Sequence, residues 1–427
     1  MTMEKIMAKQ KLISVFTIAA ILFARCNLGL SHGKAYVGAN LLVDFIAAAF
    51  CLCLFIKDKE TTKKSVLNLA TIWLLAFSIL VFIYGHFKIG VAYPDMYSRQ
   101  FHLLTIVPPV LIMVILFHAK DDLLDIISWA GNIVIVTSLI TSLIYDDVWG
   151  EWLQGMTSRV GKTPAGTCVD TSNLVLVLMI PPLYQAIVGK QLKKHIVFVL
   201  LAVFQIVASG TKSSMFPIIL VFAIFLLGSA KDKKEARRNV IILLAIGVVG
   251  FAAIMFIPAL YGIIGERVVE MFQALAGKTS GTHESTGQRM GVIREFNNHF
   301  GEHPVFGHGF YAFKTMPYAL LEEYRPNEGT EIAYRAIHTH MNFLELLFSF
   351  GIFGFVMYYW FPVYLTIKGF FAKNKAAKLI VLSFMCSFVF MDLGIDMFYP
   401  YMTPYYTYLV AYCLLRNSGD DRKQGGL

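Results

Sequence analysis

The chain has 427 residues, of which 57% are hydrophobic and only 15% are charged. Soluble domains carry nearer a quarter charged residues, so this composition excludes an ordinary soluble protein of two or three domains. The net charge of +9 does not indicate nucleic-acid binding, because the basic residues punctuate apolar segments and do not form one basic face.

Apolar stretches recur along the chain and predict an all-α polytopic membrane protein with about twelve transmembrane helices. A span needs roughly 20 apolar residues, and only helices satisfy their own backbone polar groups in lipid without closing a barrel. The first span is interpreted as uncleaved, since no clear small-residue cleavage motif follows it. The predicted spans cover residues 12–30, 37–56, 66–85, 101–118, 122–145, 172–189, 194–209, 213–229, 239–264, 339–367, 376–398 and 402–416.

The distribution of Lys and Arg predicts the orientation of these spans. With the N-terminus inside, the inside segments hold 23 of the 37 Lys and Arg residues, whereas the short outside loops hold six. The positive-inside rule then predicts that both termini are cytoplasmic. The predicted inside segments are 1–11, 57–64, 119–121, 190–194, 230–238, 368–378 and the tail from 416.

One long hydrophilic stretch interrupts the spans. It divides the chain into transmembrane helices 1–9 (1–264), a large extracytoplasmic loop (265–338), and transmembrane helices 10–12 with a cytoplasmic tail (339–427). Within the loop, Ser285 and Gln288 fit a capping box, which predicts a short amphipathic helix ending near His299. Arg289 would lie in its first turn, where the helix dipole favours a bound anion.

Three cations lie at the predicted outer ends of spans or beyond them: Arg159, Lys212 and Arg289. The positive-inside rule disfavours basic residues there, so the presence of each suggests a structural or functional role. An anionic ligand such as a diphosphate supplies one, because a guanidinium group offers two parallel donors and an ammonium group a compact charge. Snorkelling of the side chain or capping of a helix C-terminus is the alternative interpretation.

Two histidines, His338 and His340, stand where the loop returns to the membrane. An imidazole near a wet interface suits a general base; a histidine that merely satisfies the interface is the alternative. The histidines of the loop have no zinc-ligand spacing, and neither do the six cysteines, so no metal site is predicted.

Acidic residues occur within or beside the last spans. Asp392 and Asp396 are four residues apart, and Glu345 follows His340 by just over one helical turn. An ionisable side chain in a membrane span is a functional candidate by default. The favoured interpretation is a supporting role, in which these carboxylates orient a cation or an imidazole. Asp44, in the second span, has no evident partner in the sequence.

The order of these motifs resembles that of bacterial O-antigen ligases and the related Wzy-type O-antigen and capsule polymerases. The family's Arg-x-x-Gly element is similar to Arg159-Val160-Gly161, which is one residue short, and its following Asn corresponds to Asn173. The family's Gly-Ser-Arg-type element, which opens a span, corresponds to 210–213, where Lys212 replaces the arginine. That replacement keeps the charge and loses the bidentate geometry.

The second half of the resemblance lies in the long loop and the span after it. Arg289 corresponds to the family's Arg-bearing helix, and Pro304 and the Gly-x-Gly-Phe element at 307–310 follow in the family's order. The family's His-Asn-x-x-Leu element aligns on His340, although the asparagine is displaced by one position. A Gly-x-x-Gly at 351–354 completes the pattern.

The resemblance implies a GT-C-like fold and a glycosyltransferase that needs neither a metal nor a cofactor. The donor would be a glycan on undecaprenyl diphosphate, presented at the outer leaflet of the bacterial inner membrane. By this analogy Lys212 and Arg289 grip the diphosphate, and Arg159 assists. His340 would activate the acceptor hydroxyl, and the anomeric carbon would invert.

The acceptor distinguishes the alternatives. A polymerase passes the chain to another lipid-linked repeat unit and is favoured, because the His-Asn element is imperfect. An O-antigen ligase passes it to lipid A-core or another terminal acceptor. A flippase of lipid-linked oligosaccharides is a further alternative, but the sequence has no convincing internal repeat of the kind that transporters show. Expected partners are the bilayer, the two glycan substrates and a chain-length regulator.

Overall fold

The computed structural model describes most of the chain as α-helices joined by short turns. Each of the twelve predicted spans corresponds to one helix, and a thirteenth helix lies in the long loop. The described residues are 3–28, 34–87, 89–90, 106–119, 122–145, 148, 151, 158–258, 261–266, 269, 285–314, 339–398 and 402–417.

Fourteen α-helices, in chain order, make up this described fold, the third being a short amphiphilic segment between two spans. A π-helical turn, Ala24–Leu28, extends the first. The helices are α1 (Met3–Phe23), α2 (Lys34–Lys57), α3 (Lys59–Val66), α4 (Leu69–His86), α5 (Val107–Ala119), α6 (Leu123–Tyr145), α7 (Cys168–Ile187), α8 (Leu192–Ser209), α9 (Lys212–Ser229), α10 (Lys233–Phe256), α11 (Ser285–His299), α12 (Asn342–Phe371), α13 (Lys375–Asp392) and α14 (Thr403–Asn417).

Eight helices in the described residues are long and apolar enough to cross a membrane by length and composition. The other four predicted spans are the helices α5, α7, α13 and α14, of which α5 has 13 residues and α14 has 15. The fold class predicted from the sequence, an all-α polytopic membrane protein, is confirmed. The eight spans are Met7–Leu28, Ala35–Lys57, Leu69–His86, Leu123–Tyr145, Leu192–Ser209, Lys212–Ser229, Lys233–Phe256 and Asn342–Phe371.

Short polar side chains fix where several helices begin. Asn68 accepts bonds from the first N–H groups of α4, at 3.0 and 3.1 Å, and Asp232 accepts one from the start of α10 at 2.7 Å. Thr167 and Asp170 form a reciprocal capping box at the start of α7. Each cap satisfies backbone donors that the helix itself leaves without acceptors.

The interior of the bundle is aromatic where α4, α12 and α14 meet. Trp73 is fully buried, stacks on Phe361 with ring centroids 4.9 Å apart, and donates its indole N–H to the carbonyl of Tyr358 at 3.0 Å. Tyr405 and Tyr408 pack against the same indole. The indole N–H therefore finds an acceptor in the apolar core, as a buried tryptophan requires.

Segments predicted to share one side of the membrane share one end of the bundle. Lys11 lies between Asp122 and Asp125, with N–O distances of 2.7 and 2.6 Å, and Gln185 donates to Asp125 at 2.8 Å. These bonds join the start of α1, the start of α6 and the end of α7. The three segments thus lie at one end of the bundle, as predicted, whereas the side of the membrane that this end faces stays a prediction.

Helix α12 is broken at Gly351, whose backbone has φ of 64° and ψ of −167°. Four backbone hydrogen bonds of 2.8–3.0 Å link the segment 304–309 to the broken turn 348–353. Backbone groups that the break takes out of the helical pattern thus pair with the docked segment. The short N-terminal half of α12 is thereby held by the loop as well as by its own span.

Candidate functional site

The predicted site residues lie at the other end of the bundle from Lys11, which we call the site end. It comprises the C-terminal ends of α8 and α13, the N-terminal ends of α9 and α12, and the segment 285–314. Arg289 lies on α11, but its side chain is outside the described part, and His338 is outside the described residues altogether. The described side chains are those of Arg159, Lys212, His340, Glu345, Asp392 and Asp396.

Arg159 caps the end of α8. Its Nε donates to the carbonyl of Ser209 at 2.5 Å, and its terminal nitrogen donates to the hydroxyl of Thr211 at 3.2 Å. A cation is stabilised at a helix C-terminus by the free carbonyls and the dipole. These bonds are those of the capping alternative, and they fix the turn at Gly210 that precedes Lys212. A role in binding diphosphate stays a prediction.

Lys212 is the first residue of α9 and is half-buried. The hydroxyls that follow it are anchored on α7: Ser213 donates to the amide oxygen of Asn173 at 2.9 Å, and Ser214 donates to the hydroxyl of Ser172 at 3.0 Å. All four of these hydroxyl and amide side chains are buried. The ammonium group therefore stands on a rigid helix start, where the dipole adds to its positive field.

Gly394 brings the segment after α13 against the start of α9. A Cβ on Gly394 would lie 2.8 Å from the Cβ of Ser213, which is closer than two carbon atoms normally approach. The two backbones can come this close only because residue 394 is a glycine. Asp396 follows two residues later. The close approach places the carboxylate segment beside the Lys212 segment.

A continuous path of hydrogen bonds runs from Asp396 to the His340 segment. The hydroxyl of Tyr311 donates to Asp396 at 2.5 Å, and the N–H of Tyr311 donates to the hydroxyl of Ser349 at 3.1 Å. Ser349 donates to one oxygen of Glu345, and the N–H of Thr339 donates to the other, both at 3.1 Å. All five residues are at least 95% buried, so water does not compete with these bonds.

His340 follows this path directly and precedes the first turn of α12. Its backbone has φ of 54°, a left-handed conformation that non-glycine residues rarely adopt. The ring is half-buried, whereas Thr339 beside it is fully buried. Strained backbone of this kind persists only where its surroundings hold it, and the Glu345 bond to Thr339 does so here.

Asp392 belongs to a second polar group at the same end. Tyr359 donates to its Oδ2 at 2.7 Å, and the amide of Asn342 donates to the oxygen of Tyr359 at 2.9 Å. The amide oxygen of Asn342 accepts the N–H of Phe398 at 2.7 Å. Asn342, the asparagine displaced in the motif, thus ties the start of α12 to the segment after α13.

Helix α11 runs from Ser285 to His299, so the predicted helix is present and ends where expected, with Ser285 as its first residue. Val292 and Phe296 are buried against Phe348 and Met341 of the α12 region. The apolar face of α11 therefore packs against the start of α12. The backbone of Arg289 lies about two turns before Phe296, on the helix that covers the site end.

The histidine of the Gly-x-Gly element has a structural environment. His308 is 3% exposed, and its ring stacks on Phe348 with centroids 4.2 Å apart. Burial lowers the pKa of His308, which keeps the imidazole neutral in this apolar contact. The half-buried His340 is therefore the better candidate for proton transfer.

The path also contains residues that the sequence analysis did not select. Ser349 lies in an apolar helix, and Tyr311 lies beside a 3₁₀ turn at 312–314, so neither carries a periodic signal. A polar residue inside an apolar run was the one available signal for Ser349. Among the described residues no group of three or more His, Cys, Asp or Glu side chains is arranged to hold a metal ion.

The fold and this site define a polytopic membrane protein with a polar centre at one end of its bundle. Residues 197–359 match a family model described as O-antigen ligase. Over these residues the match confirms the resemblance to the O-antigen ligase and Wzy superfamily, and it supports a function of the ligase or polymerase type. The match includes Lys212, Arg289, His340 and Glu345. The comparison with curated proteins gave no significant match.

Proposed function

We propose that this protein transfers a glycan from undecaprenyl diphosphate to a sugar hydroxyl, acting as a polymerase of polysaccharide repeat units. The observation that supports it most is the set of contacts joining the Lys212 and His340 segments. Ser213 meets Gly394, and the bonded path from Asp396 leads back to Thr339. A cation for the leaving group and a base for the acceptor thus belong to one rigid unit.

The leaving group requires positive charge. Cleavage of the bond between the anomeric carbon and the diphosphate develops negative charge on the departing oxygen, and preorganised cations lower the energy of that state. Lys212 is the first residue of α9 and Arg289 the fifth residue of α11, so both lie near a helix N-terminus, where the dipole is positive. Together they bind the diphosphate without a metal ion, and Arg159 holds the turn before Lys212.

The acceptor requires a base. The acceptor hydroxyl oxygen attacks the anomeric carbon from the side opposite the diphosphate, its proton passes to the imidazole of His340, and the diphosphate leaves with the bonding electron pair. Inversion follows from this geometry. A base held beside the reacting oxygen contributes on the order of 10²–10⁴-fold. Glu345 acts through Thr339 as a positioning residue.

The acceptor distinguishes polymerase from ligase. In a polymerase the acceptor sugar is itself on a carrier lipid, whereas in a ligase it belongs to lipid A-core or another terminal acceptor. The displaced Asn342 favours the polymerase, since it bonds Tyr359 and Phe398 and so serves the fold of the site end.

The site end is proposed to face the outer leaflet of the bacterial inner membrane, with both termini in the cytoplasm. The support is the charge distribution: Lys57, Lys375 and Arg416 lie at the end opposite the site, in segments rich in basic residues. A carrier lipid with its glycan on the outer leaflet would then reach Lys212 from the bilayer.

A transfer assay tests the proposed function. The protein, purified into lipid nanodiscs, is incubated with the host's lipid-linked repeat units alone, with lipid A-core added in a parallel reaction, and with a chelator in a third. Polymer from repeat units alone, in the presence of chelator, is the expected product. Products formed only when lipid A-core is added would favour the ligase, and intact starting material in all three reactions would refute a transferase.

A further inference from the structure

A second group of polar side chains lies at the site end, outside the path described above. The π-helical turn at the end of α1 carries Asn27, whose carbonyl accepts the N–H of Ala165 at 3.1 Å. Thr163 and Gly166 close the tight turn around Ala165 by two backbone hydrogen bonds of 3.0 and 3.2 Å. This turn, with Pro164 in its second position, therefore sits directly on the end of α1.

The same turn reaches the start of α7. A Cβ on Gly166 would lie 2.5 Å from Oδ2 of Asp170, the carboxylate of the capping box. Asn173 lies one helical turn further and accepts the hydroxyl of Ser213, the neighbour of Lys212. The group of Asn27, Thr163 and Asn173, which we name the Asn27 cluster, is thereby contiguous with the Lys212 segment.

The Asn27 cluster is buried, and apart from the amide oxygen of Asn173 its side-chain polar atoms make no hydrogen bond within the described residues. Asn27 and Asn173 are 0% exposed and Thr163 is 3% exposed. Within the described residues, both amide atoms of Asn27, the amide nitrogen of Asn173 and the hydroxyl of Thr163 have no hydrogen-bond partner. A buried polar group without a partner destabilises the fold, so a group of such atoms suits a ligand that pairs with them.

An ion pair flanks the cluster. Arg25, on the same π-helical turn as Asn27, bonds Asp44 of α2, which gives Asp44 the partner that the sequence did not reveal. The pair neutralises the charges of both side chains, and the nearby Asp170 carboxylate accepts the N–H and hydroxyl of Thr167, so the cluster itself offers amide and hydroxyl groups.

We propose that the Asn27 cluster is a subsite for the neutral sugar rings of the glycan, adjacent to the diphosphate at Lys212. A pyranose presents hydroxyl groups that both donate and accept, and amides and hydroxyls are the side chains that match both roles. An amide cluster without net charge suits a neutral ring better than a phosphate. The proposal rests on the proposed function for the identity of the glycan, but not for the presence of a sugar site.

The test measures binding without turnover. The probe is an oligosaccharide released from the host's own surface polysaccharide by mild acid, which carries no diphosphate, and inorganic diphosphate is the second probe. Both are titrated against the protein in nanodiscs. We expect Asn27→Leu and Thr163→Val each to weaken oligosaccharide binding about tenfold, the equivalent of one lost discriminating bond, with diphosphate binding unchanged. Lys212→Ala is expected to weaken diphosphate binding and to leave oligosaccharide binding unchanged.

Stability separates a ligand site from a structural role. Because the Asn27 amide is unpaired in the folded chain, an apolar residue of similar size should leave the melting temperature unchanged or raise it. A lower melting temperature would show that Asn27 stabilises the fold and would contradict the proposal for that residue. The binding of oligosaccharide by Thr163→Val, which replaces only one hydroxyl by a methyl group, would then decide whether the cluster binds sugar. Asn239→Leu is the control, since its buried amide bonds the Leu226 carbonyl at the opposite end.

The outcomes separate the two proposals. Wild-type-like oligosaccharide binding in both variants would refute the Asn27 subsite, even if the wild type polymerises repeat units. Oligosaccharide binding that the variants lose, in a protein that transfers nothing, would refute the transferase and keep the sugar site. Competition between inorganic diphosphate and the oligosaccharide for Asn27 would identify an anion site and overturn the assignment to neutral sugars.

Discussion

The backbone N–H of Thr339 donates to the carboxylate of Glu345 across 3.1 Å of fully buried space. The other oxygen of that carboxylate accepts Ser349, so Glu345 uses both oxygens to join the residue before His340 to the middle of the broken helix. The backbone that carries the His340 imidazole is therefore held in place by the Glu345 carboxylate. A catalytic group needs this kind of support to hold its geometry.

Glu345→Gln is expected to lower kcat about tenfold or more, with little change in KM for the lipid-linked donor. The amide has one accepting oxygen where the carboxylate has two, so either Thr339 or Ser349 loses its acceptor, at a cost of roughly 1–3 kcal/mol. Steady-state transfer kinetics measure the split. Ser349→Ala removes one of the two bonds and should have the smaller effect; an unchanged kcat in both variants would remove Glu345 from the positioning role.

The helices were predictable because each span is a long apolar run, and the cations of the site were predictable because they break the charge pattern at the span ends. The Arg25–Asp44 pair was not, since it depends on how α1 and α2 are rotated against each other. The path through Tyr311 was likewise hidden: a residue of a loop and one of a span meet only after the segment 304–309 docks on α12.

His340→Ala is expected to abolish polymer formation while the protein level and the pool of lipid-linked units remain intact. The acceptor hydroxyl then has no base to take its proton, a loss of about 10²-fold or more. Transfer by the purified variant and gel analysis of surface polysaccharide from the complemented host provide the measurement. His86→Ala is the matched control, because His86 is exposed at the site end of α4. Normal long-chain product from the His340 variant would contradict its role.

Lys212→Arg is expected to keep more activity than Lys212→Ala. Arginine retains the positive charge at the start of α9, and its two parallel donors suit a diphosphate, whereas alanine leaves only the helix dipole. The alanine variant should show a higher donor KM together with a lower kcat, since the charge acts on both bound donor and leaving group. Lys375→Ala, at the opposite end, controls for loss of general surface charge. Equal activity of the two Lys212 variants would argue against a phosphate-binding role.

Gly351→Ala is expected to destabilise the site end and to reduce transfer. Gly351 has a left-handed backbone, and a Cβ there would collide with the backbone of Val305. The collision separates the segment 304–309 from α12, so the backbone bonds across the break are lost and the half-helix that carries His340 shifts. A strained position of this kind costs roughly 1–3 kcal/mol, visible as a lower melting temperature and faster proteolysis of the loop. Gly247→Ala on α10 is the matched control. It makes the same change where a Cβ meets nothing within 4 Å, and we expect it to be neutral or slightly stabilising.

If Gly351→Ala and Gly247→Ala had the same melting temperature and the same transfer activity, the break in α12 would have no part in holding the site.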